Sequence, residues 1–155
     1  MSEQPLDDRA VEFPRVDDRR MGAPYRYGYA VYTEQGVDRG TGTAVIKYDL
    51  RAGVSAMHEF GTGRVPAEPV FVPASATAAE DEGWLMTYVY DAARDGSELV
   101  ILDAADVSGK PVATIALPQR VPFGFHGSWI PDRNARTAGA GPAAAGEGSS
   151  ARSSD

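Results

Sequence analysis

Between residues 22 and 130 the apolar positions fall in short runs rich in Val, Ile, Tyr and Thr, and turn residues separate the runs. Alternation within the runs is the signature of half-buried strands, because successive side chains on a strand leave opposite faces. The pattern predicts strands at 27–33, 43–49, 55–60, 70–73, 84–91, 97–103, 111–116 and 123–126. Gly and Asp chemistry at 50–53 and 92–96 predicts tight turns, the second joining 84–91 to 97–103 as a hairpin. Residues 76–82 predict one helical turn at most. The acidic run Glu80-Asp81-Glu82 reads as a solvated turn.

Meandering strands at this spacing point to an all-β propeller or sandwich. A propeller blade takes four strands and roughly 40–45 residues. Residues 22–131 therefore hold about two to three blades. The segment 1–21, which carries Glu12-Phe13-Pro14-Arg15, precedes them, and 132–155 follows. Fifteen of the last 24 residues are Ala, Gly or Ser, with no aromatic. Such a segment buries too little apolar surface to offset its ordering entropy, so a disordered tail is expected.

The formal net charge is −7, with acids and bases interspersed. This argues against a nucleic-acid partner, which requires clustered Lys and Arg. The absence of cysteine excludes disulfides, thiolate metal sites and cysteine nucleophiles. The polar start, residues 1–14, lacks the apolar core of a secretory signal. No apolar run approaches the roughly 20 residues of a membrane helix. A cytoplasmic location without a transmembrane segment is the expectation.

The candidate chemistry is sparse. There are two histidines, His58 and His126. A metal site needs several convergent ligands, and two histidines so far apart form no motif by spacing. His126 lies in Pro122-Phe123-Gly124-Phe125-His126-Gly127, where glycine permits close backbone approach. Taken alone, it reads as a satisfied half-buried histidine. His58 alternates with apolar neighbours and reads as structural or surface. Glu12 and Glu68 each stand beside a proline in an apolar segment. A carboxylate in such surroundings needs a partner, and the N–H of a metal-bound histidine is one good partner; a surface glutamate beside a turn is the other reading. The glycines at 36, 40 and 42 precede no helix, so they make no phosphate loop. No Gly-x-Ser-x-Gly elbow is present.

Several segments, taken in order, resemble one family. They are Glu12-Phe13-Pro14-Arg15, Pro24-Tyr25-Arg26-Tyr27-Gly28-Tyr29-Ala30, Lys47-Tyr48-Asp49-Leu50, Glu68-Pro69-Val70-Phe71-Val72-Pro73, Glu80-Asp81-Glu82-Gly83-Trp84, Leu102-Asp103-Ala104 and the His126 segment. Together they are similar to the C-terminal third of the carotenoid cleavage oxygenases, over about residues 10–130. The resemblance implies part of a seven-bladed β-propeller with an iron(II) on its axis. It also implies four histidine ligands and three glutamates that support them. The last iron ligand falls on His126, and two of the supporting glutamates fall on Glu12 and Glu68. His58 matches no ligand.

The implied chemistry is oxidative cleavage of a carbon–carbon double bond by O2, with a carotenoid, apocarotenoid or stilbene as substrate and two carbonyl products. The other three histidines have no counterpart in this sequence. The isolated chain is therefore expected to be inactive, with a missing N-terminal propeller chain as its partner. The alternative is a non-enzymatic β-propeller relic or binding module lacking iron. In either case truncated blades are expected to self-associate, and His126, Glu12 and Glu68 are expected to face one common side.

Overall fold

The computed structural model describes residues 6–33 and 42–132. Nine strands account for its regular structure: β1 (Val11–Arg15), β2 (Tyr27–Thr33), β3 (Gly42–Asp49), β4 (Val54–Glu59), β5 (Arg64–Pro66), β6 (Val70–Pro73), β7 (Gly83–Asp91), β8 (Gly96–Asp103) and β9 (Ala113–Ala116). A single 3-10 turn, Asp18–Arg20, is the only helical element among the described residues. None of their helices is long and apolar enough to cross a membrane.

The strands form two antiparallel sheets. The first runs β1-β2-β3-β4 in chain order. The second runs β5-β7-β8-β9, with β6 also paired to β7. β5 pairs with the end of β7 (Pro66 opposite Val89) and β6 with its beginning (Val70 opposite Met86). β5 and β6 are thus one broken edge strand. Four steps on one side of the break oppose three on the other, so one residue is extra. The break stays tied to β7, where the Ala67 N–H donates to the Tyr88 carbonyl at 2.8 Å and Thr87 Oγ1 donates to the Ala67 carbonyl at 2.7 Å. Each sheet is therefore a four-stranded, blade-like unit.

The sheets pack face to face. Tyr29 and Val45 from the first meet Phe71, Leu85, Val89, Val100 and Leu102 from the second in one buried cluster. Tyr29 and Phe71 stack nearly parallel, 5.9 Å between centroids. The alternation predicted from sequence sorts these side chains: Leu85, Thr87 and Val89 are buried, while Trp84 and Tyr88 on the opposite face of β7 are exposed. Truncating a core residue such as Leu85 to alanine typically removes about 2–5 kcal/mol.

Polar latches reinforce the contact. Lys47 Nζ reaches across to Asp81 Oδ2 at 2.8 Å and to the Ala104 carbonyl at 2.6 Å. Glu80 Oε1 accepts from the backbone N–H of Tyr27 at 2.9 Å and from that of Arg26. Glu82 Oε2 accepts from the Ala79 N–H at 2.9 Å. The run Glu80-Asp81-Glu82 is a turn, as expected, but only Glu82 in it is exposed. Two of its carboxylates link the β6–β7 connection to the first sheet, because they meet unpaired donors there.

The strands expected at 27–33, 43–49, 55–60, 70–73, 84–91 and 97–103 are present, shifted by at most a residue or two, and 111–116 is shortened to β9. The expected strand at 123–126 is absent, because that segment has no strand neighbour to complete its backbone hydrogen bonds. Residues 76–82 form turns and no helix. The tail expected to be disordered lies, beyond Asp132, outside the described residues.

Candidate functional site

The break between β5 and β6 turns Glu68 inward, where its side chain is only 4% exposed. A carboxylate so buried must have its oxygens satisfied. Three groups from distant parts of the chain do this. The Gly127 N–H donates to Oε2 at 2.8 Å, and Arg15 Nη1 donates to the same oxygen at 3.2 Å. Oε1 faces His126 Nδ1 at 3.2 Å.

The histidine comes from an irregular segment that crosses the outer face of the second sheet. Several contacts tether it there. The Val121 N–H donates to Ser97 Oγ at 3.0 Å, the Phe123 ring meets Tyr90 edge-on at 5.6 Å, and Arg120 lies over both rings. The His126 side chain remains 76% exposed, with one nitrogen against Glu68. A histidine whose Nδ1 is fixed by a carboxylate presents Nε2 as its free donor atom, the usual arrangement of a metal-ligating imidazole.

The other wall comes from β1. Between Glu12 (opposite Val31) and Arg15 (opposite Tyr29) the register slips by one residue. Phe13 takes up the slip in the left-handed region, φ 54°. Directly opposed residues in an antiparallel pair share a face, so the bulge puts Glu12 and Arg15 on the same side although they are three apart. That side carries Tyr29, which packs against the second sheet. Arg15 uses this placement to reach Glu68. The Phe13 ring meets His126 edge-on at 6.2 Å.

Around His126 lies a cavity of about 440 Å³. Phe13, Val65, Tyr88, Tyr90, Phe123 and Phe125 give it an apolar, aromatic wall, and Glu68, Ser97 and His126 add polar groups. Tyr90 donates to Asp95 Oδ1 at 2.9 Å, which with desolvation raises its phenol above the ordinary range. This lining suits an apolar or aromatic molecule brought up to an imidazole.

The sequence-chosen residues are thus placed unequally. His126 and Glu68 are in contact. Glu12 is exposed, on the same face of β1 as Arg15, and does not line the cavity. His58 sits in β4 opposite Val45 and meets Phe60 edge-on at 4.8 Å, away from the cavity. The described residues contain no group of three or more His, Asp or Glu able to hold a metal ion. They offer one imidazole, held as a ligand would be, and not a complete centre. Arg15 had no role in the sequence reading. Its only signal there was its place beside Glu12-Phe13-Pro14.

Comparison with known proteins agrees in sequence and in fold. The sequence model of the RPE65 family (retinal pigment epithelial membrane protein) matches residues 1–131. The apocarotenoid-15,15'-oxygenase of Synechocystis is 37% identical over 129 residues, covering 83% of this chain and 26% of the relative. The carotenoid cleavage oxygenase of Mycobacterium tuberculosis is 42% identical over 129 residues, covering 81% and 25%. The crystal structure of Pseudomonas brassicacearum lignostilbene dioxygenase superposes with a TM-score of 0.78 at 32% identity, over 83% of this chain and 29% of that one. The chain thus spans about a quarter of the length of the curated relatives it matches. Two antiparallel blades, a buried carboxylate behind an exposed imidazole and these matches place the chain in the RPE65 family, that of the carotenoid cleavage oxygenases.

Proposed function

We propose that this chain supplies one histidine ligand, His126, and its supporting carboxylate, Glu68, to the iron(II) centre of a non-haem dioxygenase. That enzyme would split a carbon–carbon double bond of a carotenoid, apocarotenoid or stilbene into two carbonyl products. One observation carries the reading: Glu68 Oε1 stands 3.2 Å from His126 Nδ1 while most of the imidazole stays open. The names of the relatives support the substrate class.

Iron bound there would supply O2 activation next to the alkene, a task for which neutral imidazoles and open coordination positions suit iron(II). The chain's own residues do three things. Glu68 orients the ring, the aromatic wall excludes water and receives the apolar substrate, and Phe13 limits the ring's tilt. Glu12 is proposed as a second supporting carboxylate, acting on a ligand that this chain does not contain. Completing the centre requires further ligands from outside these 155 residues. The isolated chain therefore holds iron weakly and is inactive.

The test is cobalt(II) titration of the purified chain, followed by NMR of its two histidine rings, alongside iron analysis. Cobalt is expected to broaden the His126 signals selectively and His126→Ala to abolish the effect, with no stoichiometric iron retained. Broadening at His58 alone would overturn the ligand assignment and favour a non-enzymatic module. One tightly held iron per chain, with turnover of a stilbene or apocarotenoid, would overturn the requirement for further ligands.

A further inference from the structure

The Glu68 carboxyl group sits at a side chain only 4% exposed. Such a group is strongly destabilising unless a cation and enough donors meet it. Among the described residues Arg15 is the one Lys or Arg side chain in contact with it, at 3.2 Å, and is itself only 18% exposed. The same Nη1 also donates to the Gly127 carbonyl at 3.0 Å. Gly127 is thus held from both ends, its N–H by Glu68 Oε2 and its carbonyl by Arg15. The second guanidinium arm donates to Asp18 at 3.2 Å, which fixes the plane of the fork. With Oε2 occupied by Arg15 and Gly127, Oε1 is left facing His126 Nδ1.

We infer that Arg15 is a positioning residue: it locks the Glu68 carboxylate and the 126–127 backbone in register, so that Glu68 orients the His126 ring. Arg15 does not itself line the cavity and makes no contact with the His126 ring, so it acts through Glu68 and Gly127, which do line it. The bulge at Phe13 delivers it, since an unbulged β1 would turn residue 15 to the other face relative to Glu12. The planar, forked guanidinium suits three acceptors at once, which an ammonium on a flexible stem does not match. The inference rests on the reading of His126 given above.

The experiment reads the neutral tautomer of His126 by nitrogen-edited NMR, at a pH above the histidine range, together with hydrogen exchange of the Gly127 amide. In the unaltered chain His126 is expected as the Nδ1–H tautomer and Gly127 as protected. Arg15→Met should shift the ring toward the tautomer mixture shown by His58 and speed Gly127 exchange by about tenfold, as loss of a charge-assisted hydrogen bond implies. Sheet amides should stay in place. Arg15→Lys should fall between the two; if the Met variant does not fold, the Lys variant decides, and unaltered tautomer and exchange in it overturn the inference.

Glu68→Gln is the reference for complete loss of orientation. A normal ring and amide in Arg15→Met, beside altered ones in Glu68→Gln, overturn the inference. A Glu68→Gln variant that also changes nothing overturns it as well, because no orientation would exist to be fixed. Failure of the ligand reading is seen separately: the tautomer follows Arg15, but cobalt leaves His126 untouched.

Discussion

Replacing Lys47 by methionine should loosen the contact between the two sheets while leaving each sheet intact. Methionine keeps the length and apolar stem of the side chain, so the change isolates the ammonium. That ammonium sits at a side chain 9% exposed, bonded to Asp81 and to the Ala104 carbonyl, and 4.1 Å from the centre of the Tyr27 ring. A hydrogen bond to a charged group contributes roughly 1.5–3 kcal/mol. Removal also strands the carbonyl of Ala104, a fully buried residue. Two effects offset this: Asp81 is a quarter exposed and regains water, and the ammonium no longer needs desolvation. The net loss is expected near 3 kcal/mol, at the lower end for a broken buried pair. In thermal unfolding that is a fall of roughly 10 °C for a domain of this size. Urea unfolding of Lys47→Met, Asp81→Asn and the double variant closes a cycle, in which about 1 kcal/mol of coupling is expected. A Lys47→Met variant within about 0.5 kcal/mol of the parent, the range of a neutral surface change, would refute the latch.

Four further outcomes can be checked. The Tyr29 hydroxyl is buried without a hydrogen-bond partner among the described residues, so Tyr29→Phe should leave urea stability unchanged or raise it by up to about 1 kcal/mol. Gly83→Ala should destabilise by at least about 2 kcal/mol, because a Cβ there would stand 2.2 Å from the Val72 carbonyl, and a full-length urea curve reads the loss. The carboxyls of Asp49 and Asp7 are held below their ordinary range, first by hydrogen bonds from Arg26 and Arg9. A depressed folded-state value stabilises above the unfolded value near 4, and the contribution fades as the pH falls through the depressed range. Denaturation midpoints should therefore fall below about pH 4, and less steeply in Asp49→Asn. Finally, Trp84, Tyr88 and Ile115 expose an apolar surface on the second sheet, so the chain should self-associate in sedimentation, and Tyr88→Lys should reduce it.

Strands with regular alternation were legible from sequence because period two survives wherever one face is buried, as in Leu85-Met86-Thr87-Tyr88-Val89. β1 was not, because Pro14 and the bulge at Phe13 destroy its alternation. β5 was not, because three residues ending in proline carry no period. The error at 123–126 had the opposite cause. Its alternating aromatics imitate a strand, but Phe123 is placed by a ring contact with Tyr90 and not by a ladder. At the site, Glu68 and His126 stood out through their proline and glycine neighbours. Arg15 could not, since a lone arginine has meaning only once folding brings residues 15, 68 and 127 together.

The spacing of those three residues has a kinetic consequence. Arg15 and Glu68 are 53 positions apart, His126 and Glu68 are 58 apart, and Arg15 and Gly127 are 112 apart. Loops of that length close slowly, and only after local hairpins such as β7–β8 have formed. The cluster around Glu68 is thus among the last parts of the chain to assemble during refolding. A chain released from the ribosome before residue 126 would already own both sheets yet keep an unclosed ring of donors. Cleavage in the 118–122 connection would likewise leave the sheets folded and carry the imidazole away.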